Sequence, residues 1–461
     1  MAGLERDMMS SPDLKKPIAR KAALSAALKA LEGGKVREEI AGINMERHDR
    51  ALALRIAAGS LKRHITLNNL YSAISRKKHV PENIREIFRQ AAYQMLFMHV
   101  EPAVAIDAAV RLSKLTGPNI ARVVNGLLRE VSNLKPERRR DNPPFDDLRR
   151  SIHLATDEGG PGHLYFSRRL VRRDPRGDIE HTSSLPAHLA WRYYKTLGEE
   201  DFWRFVDWAN SAPYLTVRVN RLKLPKGEAV PGLFPENAEP LSGEGIPHGV
   251  CVLPEAPVEE VPGIISGLLL VQDVTNMLPV EALGIEPGMS VLDLCAAPGG
   301  KTIQAAEKLG GQGRLTAVEF IPGRADMLKA NLERAGASKV EVVVADAKNL
   351  PAEYEGAFDR VIVDVPCSNT GQLSRRPEVR LRVTKESIER LSGEQKAILH
   401  SSVRALRPGG KLVYSTCSLE PEENSAVVHT LKDFDILQER LTWPILHTRD
   451  GGYFAVLAKK G

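Results

Sequence analysis

From about Gly263 onward the chain alternates between two kinds of segment, and few folds accept that alternation. SVLDLCA from Ser290, RLTAVEF from Arg314, KVEVVVADA from Lys339, DRVIVDVP from Asp359 and GKLVYSTC from Gly410 are apolar, β-branched runs of strand length. Between them, KTIQAAEKLG, GRADMLKANLERAG and SIERLSGEQKAILHSSVRALRPGG carry apolar residues at three- and four-residue steps, as helices do. Strands that alternate with helices pack as a parallel sheet covered on both faces, a doubly wound α/β domain. Ligands of such sheets bind at the carboxyl ends of the strands, near the switch point. The loops after these strands are where chemistry is expected.

The preceding residues read differently. From about Pro17 to Leu134 the period is helical throughout, as in IARKAALSAALKALEGG, which stops at Gly33-Gly34, and in RALALRIAAGSLKRHITLNNLYSAI. This predicts an all-α domain. LKPERRRDNPPFDDLRR then breaks the pattern with charge and proline and reads as a linker. Glycine and arginine dominate from Asp157 to Arg176 without a clear period. LPAHLAWRYYKTLGEEDFWRFVDWAN is helical again, YLTVRVNRLKL alternates as a strand, and the Pro- and Gly-rich stretch 225–262 contains strand-like GVCVL. The expected organisation is an all-α domain over 15–136, a linker and small α+β region over 137–262, and a Rossmann-like α/β domain over 263–461.

Composition excludes several classes. No run of about 18 apolar residues occurs, so no membrane span is expected. The start, MAGLERDMMSSPDLKK, lacks an apolar core segment and reads as a frayed end of a cytoplasmic protein, not a secretion signal. The 4 cysteines, Cys251, Cys295, Cys367 and Cys417, form no CxxC pair and no Cys/His cluster, so neither zinc nor disulfides are expected. A net charge of +6 permits a polyanionic partner. Its placement is more telling: Arg138, Arg139 and Arg140 form one cluster, and Arg168, Arg169, Arg172, Arg173 and Arg176 another. These read equally well as solvated charge or as an RNA contact. The chain is expected to act as a monomer.

The loop after the first strand, CAAPGGKT from Cys295, ends like a phosphate-binding loop. A Walker A loop needs glycine where Cys295 stands, and no G-x-G-x-x-G fingerprint is present. What remains is a strand, a Pro-Gly-Gly turn and a helix start, in which Gly299 and Gly300 admit a ligand close to the backbone. The next strand ends in Glu319, where an acid typically binds ribose hydroxyls, and the third ends in Asp346, placed for an adenine edge. Acids at two strand tips repel phosphates but suit a nucleoside bearing a positive sulfonium, S-adenosylmethionine.

Cys367 follows the fourth strand in VIVDVPCSNTG, and Cys417 follows the fifth in KLVYSTCSLEPEEN; both lie on the rim of the nucleoside loop. A lone cysteine is most often a small buried hydrophobe. Two at neighbouring strand ends, with Asp364 three residues before Cys367, point elsewhere. Carbon 5 of cytosine is a poor nucleophile until a thiolate adds to carbon 6 and makes it enamine-like. A carboxyl group near the ring stabilises the shifting charge, and a second basic group helps remove the carbon 5 proton.

LDLCAAPGGKT, DVPCSNTG and STCSLEPEEN resemble the cofactor, proline-cysteine and threonine-cysteine motifs of the RNA cytosine-C5 methyltransferases, the Nol/Nop/Sun family. VQDVTNM from Val271 resembles the segment that opens the family's catalytic domain. DRALALRIAAGSLKRHITLNNL, AAYQMLFMHVEPAVAIDAAVRLSK and VNGLLREV resemble the NusB-like domain of bacterial 16S ribosomal RNA methyltransferases of the RsmB (Sun) type. The resemblance spans nearly the whole chain. It implies methyl transfer from S-adenosylmethionine to carbon 5 of a cytosine in 16S rRNA, free or in a small-subunit assembly intermediate. It implies Cys417 as nucleophile and Cys367 as the cysteine that assists release; position alone does not rank them. It implies a cofactor site formed by Cys295, Ala296, Ala297, Pro298, Gly299, Gly300, Lys301, Glu319, Asp346 and Asp364, with Asp364 where cofactor and base meet. The chain departs from the family where "RRHPD.KW" is usual: residues 375–381 read RRPEVRL, without the His and the Trp. The Asp157–Arg176 insert has no counterpart. These departures bear on the RNA target, which tRNA or 23S rRNA also fit. A non-catalytic RNA-binding assembly or antitermination factor is the contrasting reading, and loss of either motif cysteine would have favoured it.

Overall fold

The computed structural model describes residues 18–75, 80–115, 118–141, 145–158, 160, 162–171, 175–224, 232–253, 261–445 and 449–459. The chain's first residues, through 17, and Arg172 and Arg173 lie outside them. The chain divides into two units: residues 1–212 with 373–382, and residues 213–372 with 383–461. The boundary thus falls inside the stretch 137–262.

Unit 1 begins with α1 (Ile18–Leu31), α2 (Val36–Ala41), α3 (Arg47–Lys62), α4 (His64–Ile74), α5 (Glu82–Leu96), α6 (Pro102–Lys114) and α7 (Pro118–Asn133). Ala22, Ala23, Ala26, Ala27 and Ala30 of α1 pack on Ala53, Ile56 and Ala57 of α3, small side chains that let the two helices approach. A Cβ at Gly59 of α3 would lie 2.0 Å from the Tyr93 ring of α5, so only glycine fits there. A second core joins Leu67, Leu70, Phe88, Ala92, Leu112 and Leu128 to residues of a small sheet.

That sheet was not legible in the sequence. β1 (Glu137–Arg139), β2 (Ser151–Leu154) and β3 (Gly162–Tyr165) pair antiparallel in the order β1-β3-β2, with Glu137 opposite Tyr165. Strands of 3 and 4 residues, one wholly exposed and two wholly buried, display no alternation to read. α8 (Pro175–Ser183) and α9 (Ala187–Asn210) follow, α9 bending at Gly198, where φ is 77°.

Residues 373–382 return to unit 1 from the middle of the unit 2 sequence. Buried Arg380 donates to the carbonyls of Lys62 (2.5 Å), Ser184 (3.1 Å) and Ala209 (2.9 Å) and to Asn210 Oδ1 (2.9 Å). Leu381 packs on the alanine-rich core and Ser374 Oγ donates to Ser211 O at 2.8 Å. The residues that depart from the family pattern therefore serve as an anchor within unit 1.

Unit 2 opens with a four-stranded antiparallel sheet in the order β5-β6-β4-β7, built from β4 (Leu215–Val219), β5 (Glu239–Leu241), β6 (Val250–Leu253) and β7 (Leu269–Val271). α10 (Val274–Ala282), capped by Asp273, leads into the main sheet. Its elements are β8 (Ser290–Leu294), α11 (Gly300–Leu309), β9 (Arg314–Glu319), α12 (Pro322–Ala335), β10 (Glu341–Val344), β11 (Phe358–Asp364), α13 (Lys385–Ser402), β12 (Leu406–Thr416), β13 (Phe434–Thr442) and β14 (Gly452–Lys459). The order is β10-β9-β8-β11-β12-β14-β13. The first five are parallel as expected, and β14 and β13 are antiparallel, so the sheet is mixed rather than wholly parallel. β14 is buried on both faces and β13 is an exposed edge, so neither alternates. The order reverses between β8 and β11, which places the switch point at the ends of those two strands.

Candidate active site

Every residue expected at the cofactor loop lies at this switch point. β8 runs into the loop from Cys295, whose φ is 59°, and Gly299, with φ 109°, starts α11. A Cβ at Gly299 would stand 2.8 Å from Leu328 Cδ1, so glycine is required on both counts. Ala296 and Ala297 are buried; Ala296 N donates to Val318 O at 3.1 Å, which joins the loop to β9. Burial pushes the Cys295 thiol well up, with Asp364 and Glu319 adding to the effect, so this cysteine stays a neutral wall of the loop.

Glu319 is buried at the end of β9. Its carboxylate accepts from Ala297 N (3.3 Å) and Ile321 N (3.1 Å), and Arg324 is 3.6 Å away. Two oxygens have lone pairs beyond those bonds, enough for a diol. Asp346, beyond β10, accepts from Lys348 N at 3.0 Å and is half-buried. Asp364 ends β11, accepts from Ser415 Oγ at 2.7 Å and pairs with Lys301 Nζ at 2.9 Å. Burial opposes the Lys301 charge, but Asp364 and then Cys417 outweigh it, and the Lys301 pKa is raised.

The two thiols meet here. A hydrogen bond with Cys417, then burial, raises the Cys367 pKa well above the usual thiol range. Cys417 Sγ accepts from Gln372 Nε2 at 3.3 Å and lies 3.6 Å from Asn276 Oδ1, which accepts from Lys301 Nζ at 3.0 Å. The sequence pattern alone does not single out Asn276, Gln372 or Asp293. Asp293 is fully buried in the middle of β8; Oδ2 accepts from Thr302 Oγ1 at 2.6 Å, and Oδ1 has no partner among the described residues. Burial raises its pKa to about 7. An acid inside the apolar run SVLDL was the available signal. Asn276 lay within VQDVTNM, where only the resemblance drew attention.

Residues 280–451 match the family described as 16S rRNA methyltransferase RsmB/F, and residues 17–133 match the NusB family. Residues 280–451 are thus an RsmB/F methyltransferase domain and residues 17–133 a NusB domain. It is 28% identical over 404 residues to a probable ribosomal RNA small subunit methyltransferase B of Synechocystis sp., covering 86% of this chain and 82% of that protein. It is 27% identical over 432 residues to the probable methyltransferase B of Bacillus subtilis, covering 90% and 88%. A crystal structure titled PH0851 shares the fold with TM-score 0.75 at 22% identity, over 96% of this chain and 99% of that one. With that domain the chain is accordingly an rRNA methyltransferase that uses S-adenosylmethionine. The residues fit that cofactor: a loop in which a Cβ at Gly299 has no room, carboxylates at three strand ends, and the buried, half-satisfied Asp293 favour a cationic nucleoside over a phosphate ester. No helix of the described residues is long and apolar enough to cross a membrane. Among the described residues no group of three or more His, Cys, Asp or Glu could hold a metal ion.

Proposed function

We propose that the protein methylates carbon 5 of a cytosine in 16S rRNA through a covalent bond between Cys417 and carbon 6 of that base. The observation that carries the reading is the pair of thiols at the strand ends beside the Lys301–Asp364 ion pair, with Cys417 Sγ 3.6 Å from Asn276 Oδ1, which also accepts from Lys301 Nζ. Glu319 and Asp346 hold the nucleoside end of S-adenosylmethionine, and the loop from Cys295 to Lys301 faces the rest. The cofactor supplies an electrophilic methyl group.

The chain's own residues do the remainder. At rest Cys367 keeps its proton, and a thiolate formed at Cys417 has Gln372 donating to it and Lys301 balancing its charge. The Cys417 thiolate adds to carbon 6, and Lys301 and Asp364 hold the charge that moves onto the ring. Carbon 5, now enamine-like, takes the methyl group. Forming the carbon–sulfur bond removes the thiolate charge that kept Cys367 protonated. Cys367 then gives its proton to solvent and accepts the carbon 5 proton, and the electron pair of that C–H bond restores the ring double bond as the Cys417 thiolate leaves. The all-α domain and the small sheet of unit 1 bind the RNA, and the work takes place in the cytoplasm, where 16S rRNA is assembled.

Denaturing gels with radiolabelled RNA and cofactor test the assignment. Cys417→Ala should abolish methylation and form no adduct, whereas Cys367→Ala should accumulate protein bound to RNA. A trapped adduct with Cys417→Ala and none with Cys367→Ala would reverse the two roles. Bisulfite sequencing of rRNA from a deletion strain locates the base.

A further inference from the structure

A buried carboxylate lies behind the two thiols, away from the cofactor loop. Glu423 follows Cys417 by six residues and is fully buried. Its Oε1 accepts from Ser368 N and from Gln395 Nε2, each at 2.9 Å. Its Oε2 accepts from Ser418 Oγ at 2.5 Å and from Ser368 Oγ. Gln395, on α13, also donates to Pro366 O at 2.9 Å. Asn424, the next residue, accepts from Thr416 Oγ1 at 2.6 Å and donates to Ser418 O at 3.0 Å. Ser368, next to Cys367, and Ser418, next to Cys417, are thus tied to one carboxylate, while Gln395 holds Pro366 on one side and Asn424 holds Thr416 on the other. None of these bonds includes a sulfur.

We propose that Glu423 is a positioning residue of the methyl transfer, which fixes the two cysteine loops so that Cys367 reaches the carbon 5 proton of the adduct held on Cys417. The proposal rests on the two-thiol reading above. Four donors converge on one side chain, and an ionised carboxylate accepts them all without turning a donor of its own into the cluster. Charged acceptors also make shorter and stronger hydrogen bonds than neutral ones, which suits a part whose purpose is rigidity. The negative charge has a second consequence. After Cys417 and burial, Glu423 is among the groups that keep the proton on Cys367.

Glu423→Gln keeps the shape and removes the charge. It should leave the KM for RNA and for S-adenosylmethionine unchanged and lower kcat on the order of 10- to 100-fold, the scale of a small misplacement of reacting groups. Covalent protein–RNA adduct should persist on a denaturing gel, because release is the step that needs both sulfurs in register. Ser392→Ala, which loses only a bond to Glu422 O from the same helix, should turn over like wild type. Cys417→Ala is run alongside: if it still methylates, the two-thiol reading fails on its own account. If Cys417→Ala is dead while Glu423→Gln shows wild-type kcat and adduct, the positioning role is overturned and the thiol chemistry stands. A loss of activity matched by the loss of folded protein, with kcat per folded site unchanged, overturns it equally. Should Glu423→Gln not fold, Ser418→Ala removes a single link and is read on the same gel, where wild-type adduct levels would refute the proposal.

Discussion

In unit 1 the buried charged groups answer one another or backbone carbonyls, with no cysteine among them. Arg63 donates through Nε to Glu158 at 3.1 Å and through Nη2 to the same carboxylate, Arg89 donates to Glu86 at 2.7 Å, and Arg380 spends its guanidinium on carbonyls. In unit 2 Asp293, Lys301, Asp364 and Glu423 are gathered at one end of one sheet, around two sulfurs. Burial of charge is common to both and so identifies neither. Convergence on two thiols at the strand ends distinguishes the second set, and the first reads as stapling between helices. The comparison can be broken by asking what each set does when one member is removed.

The largest stability effect is expected in unit 1. Glu158→Ala leaves Arg63, fully buried, without its carboxylate, and also strips a hydrogen bond from Ala155 N. Breaking such a pair should cost about 3–5 kcal/mol. Chemical denaturation of the purified chain measures it. Cys417→Ala, by contrast, should leave the denaturation midpoint where it is while ending turnover. A Glu158→Ala chain as stable as wild type would show that buried charge in unit 1 is not structural, and the distinction between the units would fall.

Acid should separate the units next. Burial lowers His64 and His181 to about 3 and His163 to about 4, and drives His153 well below its usual range. All four belong to unit 1 and are neutral in the folded chain. Below the unfolded value of about 6.5 the unfolded chain takes up protons that the folded one refuses, so stability is lost as pH falls from there toward 4. Glu158, raised by burial, offsets part of this at the low end. In unit 2, Asp293 is raised to about 7, so the folded state binds the extra proton and that group gains stability over the same descent. Hydrogen exchange followed between pH 7.5 and 5 should show α4 and the small sheet losing protection before β8 and β11. Loss in the reverse order would mean that other groups govern the acid response.

The two units also differ in how much the sequence betrays. β8, β9, β11 and β12 are apolar runs between helices, and the cysteines and acids at their ends are placed by that pattern alone. Cys367 and Cys417 could not be ranked from sequence, because Gln372 and Asn276, which approach Cys417, are distant along the chain and carry no signal of their own. Glu423 likewise became visible only when Ser368, 55 residues earlier, was found bonded to it. In unit 1 the helices were legible from their period, yet the small sheet was hidden by strands too short to alternate. The return of residues 373–382 to unit 1 rests on hydrogen bonds from Arg380 to backbone carbonyls, which no side-chain pattern encodes.

The small sheet supplies the gentlest test. Pairing of β1 with β3 sets Glu137 opposite Tyr165 and Arg139 opposite His163. Arg139 lies over the Tyr165 ring at 4.2 Å, steadied by Glu137 at 2.7 Å, and Lys135, Arg150 and Ser167 line the same groove of about 280 Å³. A guanidinium stacked on an aromatic ring offers a flat cation on which an unpaired base can stack, while the lysine and arginines beside it suit phosphates. If this surface grips single-stranded rRNA, replacing its cations Lys135, Arg139 and Arg150 by alanine should lower the slope of log affinity against log salt by about 2, since each phosphate contact on a single strand contributes about 0.7. Unlike the catalytic variants, this one should leave kcat at saturating RNA unchanged and act through KM alone. An unaltered slope would return the clusters to solvated surface charge. A fall in kcat with an unaltered slope would mean that the sheet acts on the chemistry, and that the division between a gripping unit and a reacting unit is drawn in the wrong place.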